Sequence, residues 1–252
     1  MEKQAIIFRD LGVMDYQSAW DYQEQLLQEN VMIKSEARSR KPEVNSQQPA
    51  ASNEFLTSDS TPATRHYLLF VEHPAVYTLG KSGNKENVLI GDEEMKQQNI
   101  QFFNTNRGGD ITFHGPEQVV GYPILDLEKF YTDIGKYLRN LEEVIILTMA
   151  EYGIKGDRSA GETGVWVDPG IPGKERKICA IGVRCSRWIT MHGFAFNVNT
   201  DLSYFKNIIP CGITNKQVTS LEKELGVKVA MQEVKEKIRR NFELVFNAEL
   251  RG

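Results

Sequence analysis

The chain has 252 residues, 40% of them hydrophobic and 25% charged, which is ordinary for a globular protein with a sizeable core, so a single domain over residues 1–252 is expected. Thirty basic against thirty-four acidic residues leave a net charge of -4, which offers no basic footprint for a nucleic-acid backbone or an anionic membrane. No apolar run approaches the roughly 20 residues of a membrane span, and MEKQAIIFRDLG lacks a signal-peptide core, so the reading is a cytoplasmic protein that binds neither nucleic acid nor membrane.

In chain order, AIIFRDLG reads as a strand. A helix from Asp15 to Asn30 follows, with Tyr16, Ala19, Trp20, Gln23, Leu26 and Leu27 near one face. From about residue 36 to 65 the composition turns to Ser, Pro, Asn, Gln and Thr, with Phe55 and Leu56 as its only substantial apolar anchors, and it reads as a mobile insertion. Lengthening a surface loop costs only about 0.6 kcal/mol per doubling, so both flanks can belong to one domain. HYLLFVEHP and AVYTLG predict two short strands broken at Pro74, and FFNTNRGGDITFHG and QVVGYPILDL continue the strand-and-turn texture. A helix over Asp133 to Glu151 places Ile134, Leu138, Leu141, Ile145 and Met149 on one face, with Gly153 as its stop. ETGVWV, KICAIGVRC and ITMHGFAFNVN return to strands. Thr219 and Glu222 have capping-box spacing, and Met231, Val234, Ile238, Phe242, Val245 and Phe246 mark a terminal amphipathic helix. The mixture predicts an α/β or α+β fold, a mixed central sheet flanked by helices.

Three stretches carry chemistry. Arg107 to Tyr122, RGGDITFHGPEQVVGY, sets an arginine, a glycine pair and His114 between strand-like runs. Gly108 and Gly109 permit close backbone approach to a ligand, and the alternative is a tight turn beside a core histidine. In Lys177 to Asn199, Lys177 opens an apolar strand-like run, where it either snorkels to solvent or faces a pocket and exchanges protons. His192 and Gly193 are either ordinary strand residues or pocket lining. In Asp201 to Leu221, Cys211 lies between Pro210 and Gly212, a turn setting that suits either an inert thiol or a nucleophile beside a cation. Cys179 and Cys185 stand in apolar strand context, which favours small buried hydrophobes. Three cysteines without a secretion signal argue against a disulfide framework, and their spacing with His66, His73, His114 and His192 matches no metal-ligand pattern.

Together the stretches resemble the octanoyltransferases of lipoate biosynthesis, the lipoyl(octanoyl) transferase family. The resemblance rests on RGG-x-x-T-aromatic-HGP, K-I-x-A-I-G, HGFA-x-N and PCGI followed by VTSL, with DLG-x-x-DYQ-x-AW and EHP-x-VYTLG-x-SG nearer the N-terminus. It spans nearly the whole chain outside the insertion. It implies a biotin/lipoate ligase-like fold and an acyl-thioester intermediate on Cys211, with Lys177 lowering the pKa of that thiol and shuttling protons. It implies an acyl pocket formed by Arg107, Gly108, Gly109, Asp110, Ile111, Thr112, Phe113 and His114, by Ala180, Ile181 and Gly182, and by Gly193, Phe194 and Ala195. The implied donor is octanoyl-acyl carrier protein. The implied acceptors are lipoyl domains of 2-oxoacid dehydrogenase complexes and the glycine-cleavage carrier protein, with no cofactor. Glu117 stands where glycine is expected after HGP, Cys179 where alanine is usual, and the insertion is a third departure. An ATP-dependent lipoate or biotin ligase is the nearest rival, yet the chain has neither a phosphate loop nor a GRGR-type segment. An inactive binder of acyl carrier or lipoyl domains is the other rival, weakened because the lysine and cysteine positions are retained.

Overall fold

A computed structural model describes residues 3–39, 63–209 and 217–252. The chain begins with β1 (Gln4–Val13), α1 (Tyr16–Ser39), β2 (His66–Glu72), β3 (Val76–Leu79), α2 (Asp92–Gln97), β4 (Gln101–Asn104), β5 (Ile111–His114) and β6 (Gln118–Ile124). It continues through α3 (Ile134–Ala150), β7 (Gly156–Asp157), β8 (Val165–Val167), β9 (Arg176–Ser186) and β10 (Ile189–Asn197). Last come β11 (Gln217–Val218), α4 (Leu221–Leu225), α5 (Met231–Phe246) and β12 (Ala248–Arg251).

Among the described residues the main sheet runs β12-β1-β2-β6-β10-β9-β8-β7, with β11 alongside β9. Its β12, β1 and β2 pair in parallel, and β2, β6, β10 and β9 pair antiparallel. The apolar run in β2 follows from cover on both faces. Leu68 and Phe70 pack into a core with Leu141, Ile145 and Met149 of α3 and Val234, Ile238 and Phe242 of α5. The alternate residues Tyr67, Leu69 and Val71 pack against Leu26, Leu27 and Val31 of α1. A smaller sheet, β4-β3-β5, closes over a third cluster with Met95 of α2. No helix among the described residues is long and apolar enough to cross a membrane.

Helix α1 runs nine residues past the Asn30 end expected and takes in residues 36–39 of the expected insertion. Its last turns are polar, so periodicity misses them, and ion pairs hold them. Lys34 reaches buried Asp126 at 2.7 Å and Glu128 at 3.0 Å, and Arg38 reaches Glu128 at 3.1 Å. Thr64 donates to the same Asp126, and Asn30 bonds both backbone groups of Arg65. The rest of the insertion up to residue 62, with Phe55 and Leu56, lies outside the described residues.

The expected capping box is displaced by one residue. Ser220, not Thr219, caps α4 by accepting from the Lys223 N–H, because the Thr219 hydroxyl is engaged with the Glu224 carboxylate. Gly153 takes φ +73 in the turn after α3, which ends at Ala150. Glu117 explains the glycine expected in its place: its φ is +57, a left-handed conformation that costs a side-chain-bearing residue roughly 1–2 kcal/mol. Its N–H donates to Glu72, its carbonyl accepts from the Asn199 N–H, and its carboxylate pairs with Lys228 at 2.9 Å.

Candidate active site

A cavity of about 270 Å³ opens where β6, β10 and β9 lie side by side and the loop before β5 folds over them. That loop is held from inside by Arg107. The buried guanidinium donates to the backbone carbonyls of Thr78, Gly108 and Asp110 and to the Thr78 hydroxyl, at 2.6 to 3.0 Å. Gly109 takes φ +87, which suits glycine, and the Gly108 N–H donates to the Val183 carbonyl, so the loop lies directly on β9. The approach requires the glycine in β9: a Cβ on Gly182 would come within 2.7 Å of the Gly108 carbonyl oxygen.

Gly193 answers the same need between β10 and β6, where a Cβ would collide with the carbonyl of Gly121 and meet Pro123 Cδ at 2.7 Å. Neither neighbour is a flexible side-chain end. Gly193→Ala is therefore expected to cost about 3 kcal/mol by overpacking, lowering Tm by about 6–12 °C in a chain of this size. A calorimetric scan showing an unchanged Tm would mean that the two strands part freely.

The structure brings most of the expected pocket residues together. Arg107, Gly109, Asp110, Ile111, Thr112 and His114 line the cavity from the loop and β5, Lys177, Ala180, Ile181 and Gly182 from β9, and Gly193, Phe194 and Ala195 from β10. Gly108 and Phe113 do not reach it. Side chains alternate along β5, so with Thr112 and His114 on the cavity side Phe113 turns into the small-sheet core, stacked on Tyr204 with ring centroids 4.5 Å apart. His192, which the sequence left open, lines the cavity. Cys211 lies outside the described residues, with the rest of Pro210 to Lys216. On either side of that segment the Ile209 N–H donates to the Asn87 carbonyl, and Val218 pairs in register with Lys177.

Neutral polar groups surround the arginine. A hydrogen-bond relay runs from Arg107 through Thr78, His114, Gln118 and Asn197 to the Thr219 carbonyl beside β11. Burial, reinforced by His73 and Arg107, holds the His114 imidazole well below its ordinary range. Burial first, then Arg107 and Arg184, brings His192 down to about 3. Tyr16 lines the same wall, and burial pushes its phenol up to about 12 against the pull of Arg107. Tyr122 donates to His73 Nε2 at 2.7 Å, since His73 Nδ1–H is turned to the Met14 carbonyl. The wall therefore carries a fixed arginine charge and neutral histidines and phenols at neutral pH.

Lys177 has a different setting. Its Nζ lies 4.6 Å from the centroid of the Trp166 ring, its partner across the β8–β9 ladder, and 3.9 Å from the Glu162 carboxylate. Its side chain is 14% exposed and lines the cavity. Glu162 and Trp166 are cavity residues that no motif marked. Cys179 is buried as expected, whereas Cys185 is exposed near the end of β9, and desolvation pushes both thiols up, away from the reactive thiolate. Among the described residues no group of three or more His, Cys, Asp or Glu is placed to hold a metal ion.

Residues 45–243 match the lipoyl protein ligase A/B catalytic domain family. The chain is similar to an octanoyltransferase of Christiangramia forsetii, 56% identical over 244 residues that cover 96% of each chain. It is also similar to an octanoyltransferase of Flavobacterium psychrophilum, 56% identical over 243 residues, 96% of this chain and 97% of that one. Among solved structures its fold is similar to a chain from an archaeal lipoylation system of Thermoplasma acidophilum, a bi-partite lipoate protein ligase and its lipoyl domain. The TM-score is 0.64 at 17% identity, with 100% of this chain and 86% of that one covered. The mixed sheet flanked by helices expected from the motifs is the fold of that ligase chain.

Proposed function

The chain belongs to the lipoyl protein ligase A/B catalytic domain family, and within it to the octanoyltransferases, and we propose that it moves an octanoyl group from acyl carrier protein onto a lysine of a lipoyl domain through a thioester on Cys211. The observation that carries this reading is the convergence of three separate motif stretches on one cavity, with Lys177 at its rim beside the strand that follows the Cys211 segment.

In the first half-reaction the Cys211 thiol gives its proton to Lys177 and the thiolate attacks the thioester carbon of the donor. The C–S bond to the carrier breaks, and the carrier sulfur takes the proton back from Lys177. In the second, the neutral acceptor amine forms a C–N bond to the acyl carbon as the C–S bond to Cys211 breaks, and Lys177 takes the proton the nitrogen loses and returns it to the Cys211 sulfur. One thioester replaces another of similar energy, and an amide then replaces a thioester, so no nucleotide is consumed. The acceptors in this reading are lipoyl domains of 2-oxoacid dehydrogenase complexes and the glycine-cleavage carrier protein, and the compartment is the cytoplasm.

Intact-mass measurement after incubation with octanoyl-acyl carrier protein, without nucleotide, tests the reading. One octanoyl adduct is expected, mapped to Cys211, absent from Cys211→Ala, and lost on addition of a lipoyl domain as that domain gains the same mass. Transfer that persists in Cys211→Ala or requires ATP would establish a ligase in its place.

A further inference from the structure

Along the β9–β10 ladder the sheet side of the cavity passes from Lys177 through apolar rungs to a polar end. Lys177 stands at the start, in register with Val218 of β11. Then come the paired Ala180 and Ala195, with Val120 of β6 beside them, and the paired Ile181 and Phe194. Beyond Gly182 and Gly193 the next rung joins Val183 to His192. Trp20 of α1 links His192 to Tyr16, its ring centroid 5.9 Å from the imidazole and 6.0 Å from the phenol ring.

These two residues differ from the other histidine and tyrosine of the cavity wall. His114 uses both ring nitrogens, and the Tyr122 hydroxyl donates to His73. The Tyr16 side chain is buried, and its hydroxyl has no hydrogen-bond partner among the described residues. His192 is buried too, with Nε2 2.8 Å from Asn106 Oδ1, which leaves Nδ1 as an acceptor. That nitrogen also lacks a partner among the described residues. The backbone of His192 is fixed in a left-handed conformation, φ +57, with its N–H donated to Gln23 Oε1. A buried polar group of this kind weakens the binding of any ligand that covers it without bonding to it.

We propose that Tyr16 and His192 form a polar end wall that sets the length of alkyl chain the pocket accepts, an inference that rests on the acyl transfer proposed above. A chain that ends among Ala180, Ile181, Phe194 and Ala195 leaves both groups to water. A longer chain drives apolar carbons against them, displaces that water and returns no hydrogen bond. A longer chain that ends in a hydroxyl does return them, because it donates to His192 Nδ1 and accepts from the Tyr16 phenol.

Carrier-thiol release is measured with octanoyl-, dodecanoyl- and ω-hydroxydodecanoyl-acyl carrier protein, and the quantity read is the ratio of kcat/KM between chains within one enzyme form. With the unaltered enzyme, dodecanoyl is expected to fall about a hundredfold below octanoyl, about tenfold for each group left unpaired. The ω-hydroxyl should restore about tenfold or more. Tyr16→Phe removes the hydroxyl alone and should narrow the octanoyl-to-dodecanoyl ratio about tenfold. If thermal melts show that variant misfolded, the two dodecanoyl chains on the unaltered enzyme decide alone. Equal exclusion of both dodecanoyl chains would show a wall set by bulk and overturn the assignment. An unchanged ratio in folded Tyr16→Phe, or dodecanoyl turned over as fast as octanoyl, would overturn it as well. Failure of the transfer reading itself looks different, because no carrier, octanoyl included, would then release its thiol.

Discussion

Lys177→Ala is expected to slow octanoyl transfer by about a hundredfold or more, the scale of a lost proton-transfer group, while the protein stays folded. Its nitrogen faces the Trp166 ring and the Glu162 carboxylate in the cavity, not the apolar core. A partly exposed cation on an aromatic face adds about 0.5–1 kcal/mol, so the melting temperature should fall by only a few degrees. Lys177→Arg separates charge from proton transfer, because arginine keeps the charge and does not deprotonate in proteins. Rates near normal in the arginine variant would reduce Lys177 to an electrostatic role, and a collapse of the fold in the alanine variant would make it structural.

Stability should fall steeply as the pH drops from about 7.5 toward 5, and the buried histidines set the sign. Burial holds His66 and His73 down to about 4 and His192 down to about 3, and His114 lies well below its usual value. In the unfolded chain each binds a proton near pH 6.5. The unfolded state therefore holds more protons below that pH, and stability is lost as the pH falls. Above it the folded form bears no penalty. His66, His73 and His192 each contribute on the order of 1 kcal/mol of loss between about pH 7.5 and 5.5, and His114 acts in the same direction. Against a typical total of about 5–15 kcal/mol, that removes a large share of the stability before the carboxylates titrate. Urea titrations at three pH values across this range check it, and a flat midpoint would show that the imidazoles take up protons in the folded state.

Much of the site was legible because residues distant in the chain fall on neighbouring strands. Lys177 to Gly182 and Gly193 to Ala195 occupy adjacent strands, and the RGG loop is bonded across them at Val183. Their glycines, conspicuous in strand sequence, mark where backbones touch. What escaped notice was set by tertiary contact. Phe113 shares a motif with Thr112 and His114, and alternation turns it the other way. Glu162 sits in a short loop without a motif, and only its placement beside Lys177 gives it meaning. The strands flanking β6 were readable from apolar content, whereas α2, with only Met95 buried, shows no periodic face. The last turns of α1 depend on Asp126, some ninety residues away, which no local pattern reports.

Strand β12 pairs residues 248–251 with residues 4–7 of β1. Its consequence appears during synthesis. At about 5–20 residues per second, a ribosome needs on the order of ten to fifty seconds to travel from the first of these strands to the last. Throughout that interval the outer edge of β1 presents unpaired backbone groups, a template for pairing with another nascent chain. The conversion of β1 from edge to interior strand thus waits until residues 248–251 have been made.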